Sequence, residues 1–429
     1  MKTTNPLLKV FEANNKTYLY NAISNTLHPF TTKHIANFNQ YSEFVIDYPY
    51  SNSELMDIIN TQMASITLAL TEQCNFRCKY CAYMSKYNIK SNSLSNMDST
   101  IAFKSIDMLM NCSSSSSDIF VDFYGGEPLL KIDLIHDCVR YCKTKYPFRI
   151  PNFQITTNGL LLTNKVIDFL IDNNFYINLS LDGPSCIQDK YRIGVDGLPT
   201  FDRVFKNIIM LYKRNPQFFK THVIFNSVIT PTTGTLEQFD FLDNLCKLDV
   251  FLIEATITDY FSNLISNETK TLDDRFVNVK NHPIFKKSSL KNMQKYHNML
   301  SNPSSQIRIL PGGFCVPGSR KNFITVDGKI VVCEKVDERN SIYQIGDVFN
   351  GIDMNKLKQL IDAALSRLQK CKSCWAARFC NVCFKDIFDL TNDYCEKSRS
   401  KVEKDLIYYL EKVKDNNVIT NYLENLSVE

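Results

Sequence analysis

The sequence predicts an α/β fold built on a parallel sheet. From about residue 65 to residue 256, short apolar runs of β type alternate with amphipathic stretches of helix length. This alternation is typical of consecutive βα units. Glycine-rich and polar motifs follow several of the apolar runs, and βα folds gather their active sites at the carboxyl ends of the strands. We therefore expect six βα units with a functional site at one end of their sheet.

The elements follow from the apolar runs and the amphipathic stretches. The predicted strands are Ser65–Leu70, Asp118–Tyr124, Asn152–Thr157, Tyr176–Leu181, His222–Val228 and Val250–Thr256. The predicted helices are Asp98–Asn111, Asp133–Lys145, Asn164–Asn173, Phe201–Lys213 and Leu236–Lys247. Four apolar residues at helical spacing, Val402, Leu406, Leu410 and Val413, predict a final helix. We divide the chain into an N-terminal segment 1–64, a core 65–260, a linker or insertion 261–305, a cysteine-rich module 306–400 and a terminal helix 401–429.

The composition limits the classes of function. With 429 residues, of which 44% are hydrophobic, the chain is long enough for two or three packed units. Its 49 basic and 45 acidic residues leave a net charge of +4, too small to indicate nucleic acid or a membrane surface as a partner. The N-terminus lacks the apolar core of a signal peptide. Fifteen cysteines without an export signal indicate metal or redox chemistry in a reducing cytoplasm.

Three cysteines follow the first predicted strand in a tight loop. Cys74, Cys78 and Cys81 have the spacing Cys-x3-Cys-x2-Cys. Thiolates are the usual ligands of iron–sulfur clusters, and a [4Fe–4S] cluster normally takes four. Three thiolates in one loop therefore predict a cluster with one iron left open. A zinc knuckle is the competing interpretation. Zinc sites usually have four nitrogen or sulfur ligands, however, and no fourth ligand stands near these three cysteines in the sequence.

The cysteine loop closely resembles that of the radical S-adenosylmethionine (SAM) enzymes. The resemblance implies a partial (β/α)6 barrel in which the open iron chelates the amino and carboxylate groups of SAM. One electron from the cluster then cleaves the sulfonium to a 5′-deoxyadenosyl radical, chemistry that belongs to the cofactor. By the same resemblance, the ring of Tyr80, just before the third cysteine, lies near the adenine.

Motifs at the following strand ends complete the predicted SAM pocket. The second strand ends in Gly125-Gly126-Glu127-Pro128, which resembles the family motif that contacts the methionine amino group. The fourth strand ends in the run Ser-Leu-Asp-Gly, and the resemblance assigns Ser180 to the ribose. Arg192, twelve residues beyond Ser180, would hold the SAM carboxylate. Each motif alone is most often turn chemistry, but their order at successive strand ends favours one site.

The C-terminal cysteines resemble the SPASM domain of radical SAM enzymes, which binds two auxiliary [4Fe–4S] clusters. By this resemblance the outer cluster is held by Cys371, Cys374, Cys380 and Cys395, and the inner cluster by Cys315, Cys333 and Cys383. With the core cluster, the chain would carry three [4Fe–4S] clusters and SAM. A zinc ribbon is the competing interpretation, but its cysteine pairs are usually about 15–20 residues apart, whereas five residues separate Cys374 from Cys380.

Two departures from the SPASM pattern matter. Two residues rather than the usual three separate Cys380 from Cys383, which weakens the assignment of Cys383. Sulfatase maturases carry a further cysteine shortly before the first SPASM cysteine, and this chain has none between Cys246 and Cys315. An inner cluster with three protein ligands would have an open iron for a substrate thiolate. The other cysteines, Cys112, Cys138, Cys142, Cys186 and Cys246, are predicted to be structural.

The N-terminal segment has two open interpretations. Leu7–Glu12 and Thr17–Ala22 predict a hairpin around Asn14 and Asn15, and Asn52–Asn60 predicts a short helix. The hairpin could belong to a shortened module that grips the leader of a substrate peptide by strand addition. It could equally cap the barrel.

The predicted function is the radical modification of a ribosomally made precursor peptide with a leader. We expect a thioether product and an external one-electron donor of the flavodoxin or ferredoxin type. One alternative is formylglycine formation of the sulfatase-maturase kind, because those relatives carry an Asp base directly after the second SPASM cysteine and Glu334 stands there in this chain. A carbon–carbon cross-link is a second alternative. A catalytically inactive peptide-binding protein is a third, against which the intact Cys74, Glu127 and Arg192 argue.

Overall fold

The computed structural model describes residues 5–31, 41–83, 94–229, 237–238, 240–241, 244, 252–257, 293–304, 306–312 and 314–414. The chain divides into two compact units. The sheet unit comprises Ser53–Phe285 and Pro317–Leu357, and the cysteine-rich unit comprises Met1–Asn52, Lys286–Val316 and Lys358–Glu429. No helix within the described ranges is both long enough and apolar enough to cross a membrane.

Strands and helices are numbered in chain order. The strands are β1 Leu8–Ala13, β2 Lys16–Asn21, β3 Thr26–Pro29, β4 Val45–Ile46, β5 Ser65–Thr71, β6 Phe120–Gly125, β7 Asn152–Thr157, β8 Tyr176–Ser180, β9 Val223–Ile229, β10 Leu252–Ile257, β11 Arg308–Ile309, β12 Lys321–Ile324, β13 Lys329–Val331, β14 Gln344–Asp347 and β15 Gly351–Ile352. The α-helices are α1 Asn52–Thr61, α2 Ser99–Asn111, α3 Ile132–Lys145, α4 Asn164–Asp172, α5 Ser185–Tyr191, α6 Phe201–Arg214, α7 Pro216–His222, α8 Met354–Leu368 and α9 Asn392–Lys412. Residues 293–301 are also helical.

The sheet unit is built on ten strands in the order β10-β9-β8-β7-β6-β5-β12-β13-β14-β15. The six consecutive strands β5 to β10 are parallel, which confirms the predicted α/β fold with a barrel-like parallel sheet. β12 joins the free edge of β5 in parallel register, with Lys321 beside Ser65. From β12 onward the strands are antiparallel. The apolar runs of the sequence do not predict this extension.

The two faces of the parallel sheet differ in polarity. One face carries buried apolar side chains, namely Ile66, Leu68, Val121, Phe123, Phe153, Ile155, Ile177, Leu179, Val223 and Phe225. The opposite face carries Thr67, Asp122 and Gln154 in register across three strands. Parallel sheets are usually apolar on both faces. A row of polar groups on one face therefore indicates a functional surface, which we call the polar face.

Four of the predicted helices are present in the structure, and each of their ends lies within one residue of the predicted position. The start of α2 is fixed by Asp98, whose side chain accepts a hydrogen bond from the Thr100 N–H. The predicted helix Leu236–Lys247 falls largely outside the described residues, although residues 237–238, 240–241 and 244 are helical. Most of the predicted linker 261–305 and the tail from residue 415 onward also lie outside them.

The cysteine-rich unit contains the N-terminal hairpin. β1 and β2 pair around Asn14 and Asn15, whose φ angles of 50° and 57° suit the tight two-residue turn. β3 adds a third strand that the sequence analysis did not predict. The sheet packs within this unit, because Lys9 pairs with Glu403 at 2.8 Å and the Tyr20 ring lies 6.5 Å from the Trp375 ring. The hairpin thus shares a core with the C-terminal cysteine segment.

Candidate active site at the strand ends

The cysteine loop follows β5 and is held against the segment that follows α5. The Arg77 N–H donates to the Ile193 carbonyl at 2.7 Å, and the Lys79 N–H donates to the Tyr191 carbonyl at 3.0 Å. In the opposite direction, the Val195 N–H donates to the Asn75 carbonyl at 2.9 Å. These bonds fix the loop at the carboxyl end of the sheet. They also bring the thiols close to Arg192, which lies far away in the sequence.

Two thiols of this loop have pKa values raised by their surroundings. Burial raises the pKa of Cys74 to about 12, and the charge of Glu127 adds to the effect. Burial also raises the pKa of Cys78 to about 12, although the positive charge of Arg192 opposes it. A buried thiol is deprotonated when it binds a metal centre. Without a metal centre these two thiols are therefore neutral, and cluster binding by the loop stays a prediction.

The glycines of the second motif are required by close packing against the cysteine loop. A Cβ atom on Gly126 would lie 2.1 Å from the Gln73 carbonyl oxygen, and one on Gly125 would lie 2.3 Å from the Thr71 carbonyl oxygen. Gly125 also has a φ of 127°, which favours glycine. The Glu127 N–H donates to the Gln73 carbonyl at 2.9 Å. The motif therefore holds the base of the cysteine loop.

Glu127 is fully buried between two strand ends. Its Oε1 accepts from the Thr157 hydroxyl at 2.7 Å and from the Leu129 N–H at 3.1 Å, and its Oε2 accepts from the Asn158 N–H at 2.9 Å. Burial nonetheless raises the pKa of the carboxyl to about 7. A carboxylate has about four acceptor positions, so one remains. The role predicted for Glu127, contact with an ammonium group, stays a prediction.

Arg192 and Tyr80 meet at Asp182. Arg192 Nη2 lies 3.0 Å from Asp182 Oδ1, with both side chains buried, and the Tyr80 hydroxyl donates to Asp182 Oδ2. The guanidinium lies 5.4 Å from the centre of the Tyr80 ring. Asp182 also accepts from the Val228 N–H at 3.1 Å. This carboxylate therefore fixes two of the predicted SAM-binding residues in one place.

Three buried donors at these strand ends have no hydrogen-bond partner within the described part of the chain. They are Asn75 Nδ2, Gln188 Nε2 and Arg192 Nε. Leaving such groups without partners costs about 1–3 kcal/mol each. SAM presents a carboxylate and ribose oxygens, which are acceptors. The donor set therefore fits SAM, with Cys74, Cys78 and Cys81 available for the cluster.

Ser180, the last predicted SAM-binding residue, ends β8. It is half-buried and pairs in register with Asn226 of β9. The Leu181 N–H donates to the Asn226 carbonyl at 3.0 Å. The strand end is thereby fixed beside Asp182, and the predicted contact with the ribose remains a prediction.

A second polar cluster lies on the polar face. Asp122 is 6% exposed. Its Oδ2 accepts from the Thr67 hydroxyl at 3.1 Å, while its Oδ1 has no partner among the described residues. Lys321 Nζ lies 3.5 Å from Glu334 Oε1. Burial raises the pKa of Asp122 to about 7, although the positive charge of Lys321 opposes this shift.

Glu334 lies beside the thiol that precedes it. The Cys333 thiol donates to Glu334 Oε2 at 3.3 Å. Burial alone would raise the pKa of Glu334, but the charge of Lys321 holds it below its ordinary value. Glu334 is therefore a carboxylate at neutral pH, as a base must be. The charges of Glu334, Cys81 and Cys333 all act on Tyr124, so this ring lies within electrostatic reach of thiols from both predicted cluster sets.

In the cysteine-rich unit, the thiols of Cys374, Cys380 and Cys395 lie within electrostatic reach of Cys371. Burial raises the pKa of Cys371 to about 12, and the neighbouring thiols of Cys374, Cys380 and Cys395 add to the shift. The Cys383 thiol instead donates to Asp386 Oδ2 at 3.5 Å. Cys315 is exposed and lies close enough to Tyr48 to act on its pKa.

No group of three or more His, Cys, Asp or Glu side chains in the described ranges converges closely enough to hold a metal ion. A cluster of several irons spreads its thiolates more widely than a single ion does. Of the cysteines predicted to be structural, Cys138 and Cys142 are buried, Cys112 is half-buried and Cys186 is exposed. Cys246 lies outside the described residues.

Sequence reasoning missed three residues of the site. Asp182 was visible within the run Ser-Leu-Asp-Gly, but its role as a partner of Arg192 depends on the fold. Asn158 Nδ2 donates to Asn75 Oδ1 at 2.7 Å and approaches the Cys74 sulfur at 3.8 Å. Asp122 could have been found from the sequence by one signal, because it is a charged residue inside an otherwise apolar strand.

Comparison with known proteins agrees with this geometry. Residues 68–238 match the Radical SAM superfamily. A cysteine-type anaerobic sulfatase-maturating enzyme of Clostridium novyi is 28% identical over 383 residues, covering 78% of this chain and 93% of that protein. The radical SAM cyclopropyl synthase TigE of Paramaledivibacter caminithermalis is 26% identical over 194 residues, 43% of this chain and 38% of that protein.

Solved structures show the same fold. The solved structure of native anSMEcpe with bound AdoMet and Kp18Cys peptide is similar to this chain, with a TM-score of 0.59 and 18% sequence identity. The match covers 85% of this chain and 99% of that one. The family match lies on the strands and loops that carry the cysteine loop, the Gly-Gly-Glu motif and the Asp182–Arg192 pair. Residues 68–238 of this chain therefore form a Radical SAM domain.

Proposed function

We propose that this enzyme is a maturase that forms a thioether in a ribosomally synthesised peptide. The observation that carries the proposal is the cysteine set. Between Lys247 and Phe314 the sequence contains no cysteine, so Cys315, Cys333 and Cys383 would hold an inner auxiliary cluster with only three protein ligands. Such a centre leaves one position for a further ligand, and a substrate cysteine is a suitable one.

The polar face offers a place for the substrate residue. Tyr124 lies within electrostatic reach of Cys81 and Cys333, and Asp122 has an acceptor oxygen without a partner in the described chain. Lys321 and Glu334 add an ammonium and a carboxylate. Apolar packing needs none of these groups. Together they support a peptide segment bound on the polar face, near Cys81 and Cys333.

The bound cofactors, SAM and a reduced [4Fe–4S] cluster, supply a 5′-deoxyadenosyl radical that takes a hydrogen atom. Cys74, Cys78 and Cys81 would hold the cluster, and Arg192 and Glu127 would orient SAM. Thioether formation removes two hydrogens from the peptide. One leaves the acceptor carbon as a hydrogen atom, and the thiol loses the other as a proton, for which the carboxylate of Glu334 is a suitable acceptor. An oxidised auxiliary cluster, which Cys315, Cys333 and Cys383 would hold, would accept the remaining electron.

A second candidate is the oxidation of a cysteine or serine side chain to formylglycine. Glu334 favours it, because this carboxylate adjoins Cys333 and is ionised at neutral pH. The similarity to a cysteine-type sulfatase-maturating enzyme over 93% of that protein also favours it. A peptide leader is an expected partner of the first candidate. A flavodoxin-type or ferredoxin-type electron donor is an expected partner of both, because both begin with the one-electron cleavage of SAM.

Mass spectrometry of two peptides distinguishes the candidates. The anaerobically reconstituted enzyme is incubated with SAM, dithionite and either a cysteine-rich peptide encoded beside its gene or a sulfatase-type cysteine peptide. We expect the first peptide to lose two hydrogens and to gain a sulfur-to-carbon link. An aldehyde on the second peptide, captured by a hydrazide, would favour formylglycine formation. 5′-Deoxyadenosine formation with both peptides unchanged would contradict both candidates.

A further inference from the structure

The carboxyl of Asp122 stands apart from the residues predicted to bind SAM. Asp122 precedes Gly125 by three residues on β6, about 10 Å at the rise of a strand. It is in register with Thr67 on one side and with Gln154 on the other. A group bound at Asp122 would therefore contact the polar face itself and not the strand ends that carry the SAM motifs.

This carboxyl has one oxygen without a partner. Its Oδ2 accepts from the Thr67 hydroxyl at 3.1 Å, whereas its buried Oδ1 has no hydrogen-bond partner within the described ranges. The whole residue is only 6% exposed. Taking a carboxylate oxygen out of water without replacing its hydrogen bonds is costly. A bound donor group would remove that cost.

The charges around Asp122 favour a positively charged donor. Lys321 carries the positive charge that acts on Asp122, but its Nζ lies 3.5 Å from Glu334 Oε1. Two carboxyl groups thus share one ammonium, and one positive charge is missing when both are ionised. Burial raises the pKa of Tyr124, and the negative charges of Glu334 and Asp122 raise it further. A cationic ligand group would balance these charges.

We propose that Asp122 is a specificity-determining residue that binds a positively charged side chain, Lys or Arg, of the substrate peptide close in sequence to the modified residue. An ammonium or guanidinium supplies both the donor and the charge that this carboxylate lacks, and charge-assisted hydrogen bonds are the strong ones. Lys321 and Glu334 stay paired. The inference rests on the proposed function only in requiring a peptide substrate, and it applies to thioether and formylglycine formation alike.

The test is a binding comparison on the wild-type holoenzyme with SAM. The probes are fluorescein-labelled nonapeptides of glycine and serine with a central cysteine and one test residue, placed in turn at each position within two residues of the cysteine. The test residue is lysine, norleucine, which lacks only the ammonium, or glutamine, a neutral donor. By fluorescence anisotropy, we expect lysine to bind at least about tenfold more tightly than norleucine at one of these positions.

Two results with the wild type would contradict the proposal. If no lysine peptide binds more tightly than its norleucine counterpart, the proposal is overturned. A glutamine peptide that binds as tightly as its lysine counterpart would overturn the choice of a cation.

The substitution Asp122→Asn keeps the size of the side chain and removes its charge. We expect this variant to lose the preference for lysine while the norleucine peptide keeps its affinity. Asp118→Asn is the matched control, because Asp118 is exposed and precedes the first residue of β6, at the opposite end of the strand from Gly125. The control should keep the preference for lysine. A preference that survives in Asp122→Asn would overturn the role of Asp122.

Mass spectrometry of the same peptides keeps this inference apart from the proposed function. A preference for lysine without any modified product would support charge recognition at Asp122 and count against the proposed function. A thioether formed equally well in lysine and norleucine peptides would support the proposed function and overturn this inference.

Discussion

Arg192 Nη2 lies 3.0 Å from Asp182 Oδ1, and both side chains are buried at the carboxyl end of the parallel sheet. The pair joins the end of β8 to the segment after α5 that is hydrogen-bonded to the cysteine loop. Because Tyr80 donates to the same carboxylate, Asp182 orders two predicted SAM-binding residues and the loop between Cys78 and Cys81.

Removing Asp182 should destabilise the sheet unit strongly. Asp182→Ala leaves the Arg192 guanidinium buried without its partner, a loss that typically costs about 3–5 kcal/mol. The matched control is Asp196→Ala, because the Asp196–Arg203 pair is as short, at 2.8 Å, but has side chains that are 39% and 41% exposed. Exposed pairs contribute about 0–1 kcal/mol. Urea unfolding of the wild type and both variants should show a large loss in the free energy of unfolding for Asp182→Ala and a small one for Asp196→Ala. Equal losses in the two variants would contradict the structural role of Asp182.

Arg192→Lys should weaken SAM binding without loss of iron. Lysine keeps the charge but lacks the planar fork and the buried Nε, which has no partner among the described residues. Titration with SAM, followed by the spectrum of the cluster, should show a higher dissociation constant with unchanged iron content. Wild-type affinity in Arg192→Lys would show that this side chain does not hold the SAM carboxylate.

Gly126→Ala should disrupt the cysteine loop. The added Cβ would lie 2.1 Å from the Gln73 carbonyl oxygen, so the loop or the motif must shift. We expect the variant to lose iron from the core cluster and to lose SAM cleavage. Gly197→Ala is the control for backbone strain alone, because its φ of 75° disfavours alanine while a Cβ atom there meets nothing within 4 Å. Retention of full iron and SAM cleavage by Gly126→Ala would show that the close packing is not required.

Asp122→Asn should stabilise the protein more at pH 8 than at pH 6. The carboxyl has an ordinary pKa of 3.8 and a pKa of about 7 in its buried position. Between these values the unfolded chain has released the proton while the folded protein retains it, so rising pH favours unfolding by up to a few kcal/mol. Asparagine removes this dependence. Thermal unfolding should show a gain that grows from pH 6 to pH 8, and a pH-independent difference would contradict the burial of an ionisable group.

Much of the site could be predicted from the sequence because its motifs stand at the ends of strongly apolar strands. The cysteine loop, Gly125, Gly126, Glu127 and Arg192 all lie where the strand pattern placed them. What they contact could not be predicted. The glycines pack against backbone of the cysteine loop, and the Arg192–Asp182 pair depends on how the turn after β8 folds back.

The polar face escaped prediction for a different reason. Asp122 contacts Thr67, 55 residues away, and Lys321 arrives on β12, which joins the sheet beside β5 from a distant part of the chain. Neither pairing has a local signal, since strand addition at a sheet edge depends on tertiary packing. The short strand β3 likewise has no apolar run of its own, because it has only four residues.

We expect the strand-end residues to form a centre that cleaves SAM, and the yield of 5′-deoxyadenosine measures that cleavage. The enzyme is reconstituted anaerobically and incubated with SAM and dithionite. We predict about twelve irons per chain, for three clusters of four, and steady formation of 5′-deoxyadenosine. Replacing Cys74, Cys78 and Cys81 by Ala should remove about four irons and abolish the product. Undiminished 5′-deoxyadenosine in that triple variant, or stoichiometric zinc with little iron in the wild type, would show that these cysteines do not hold a cluster that cleaves SAM.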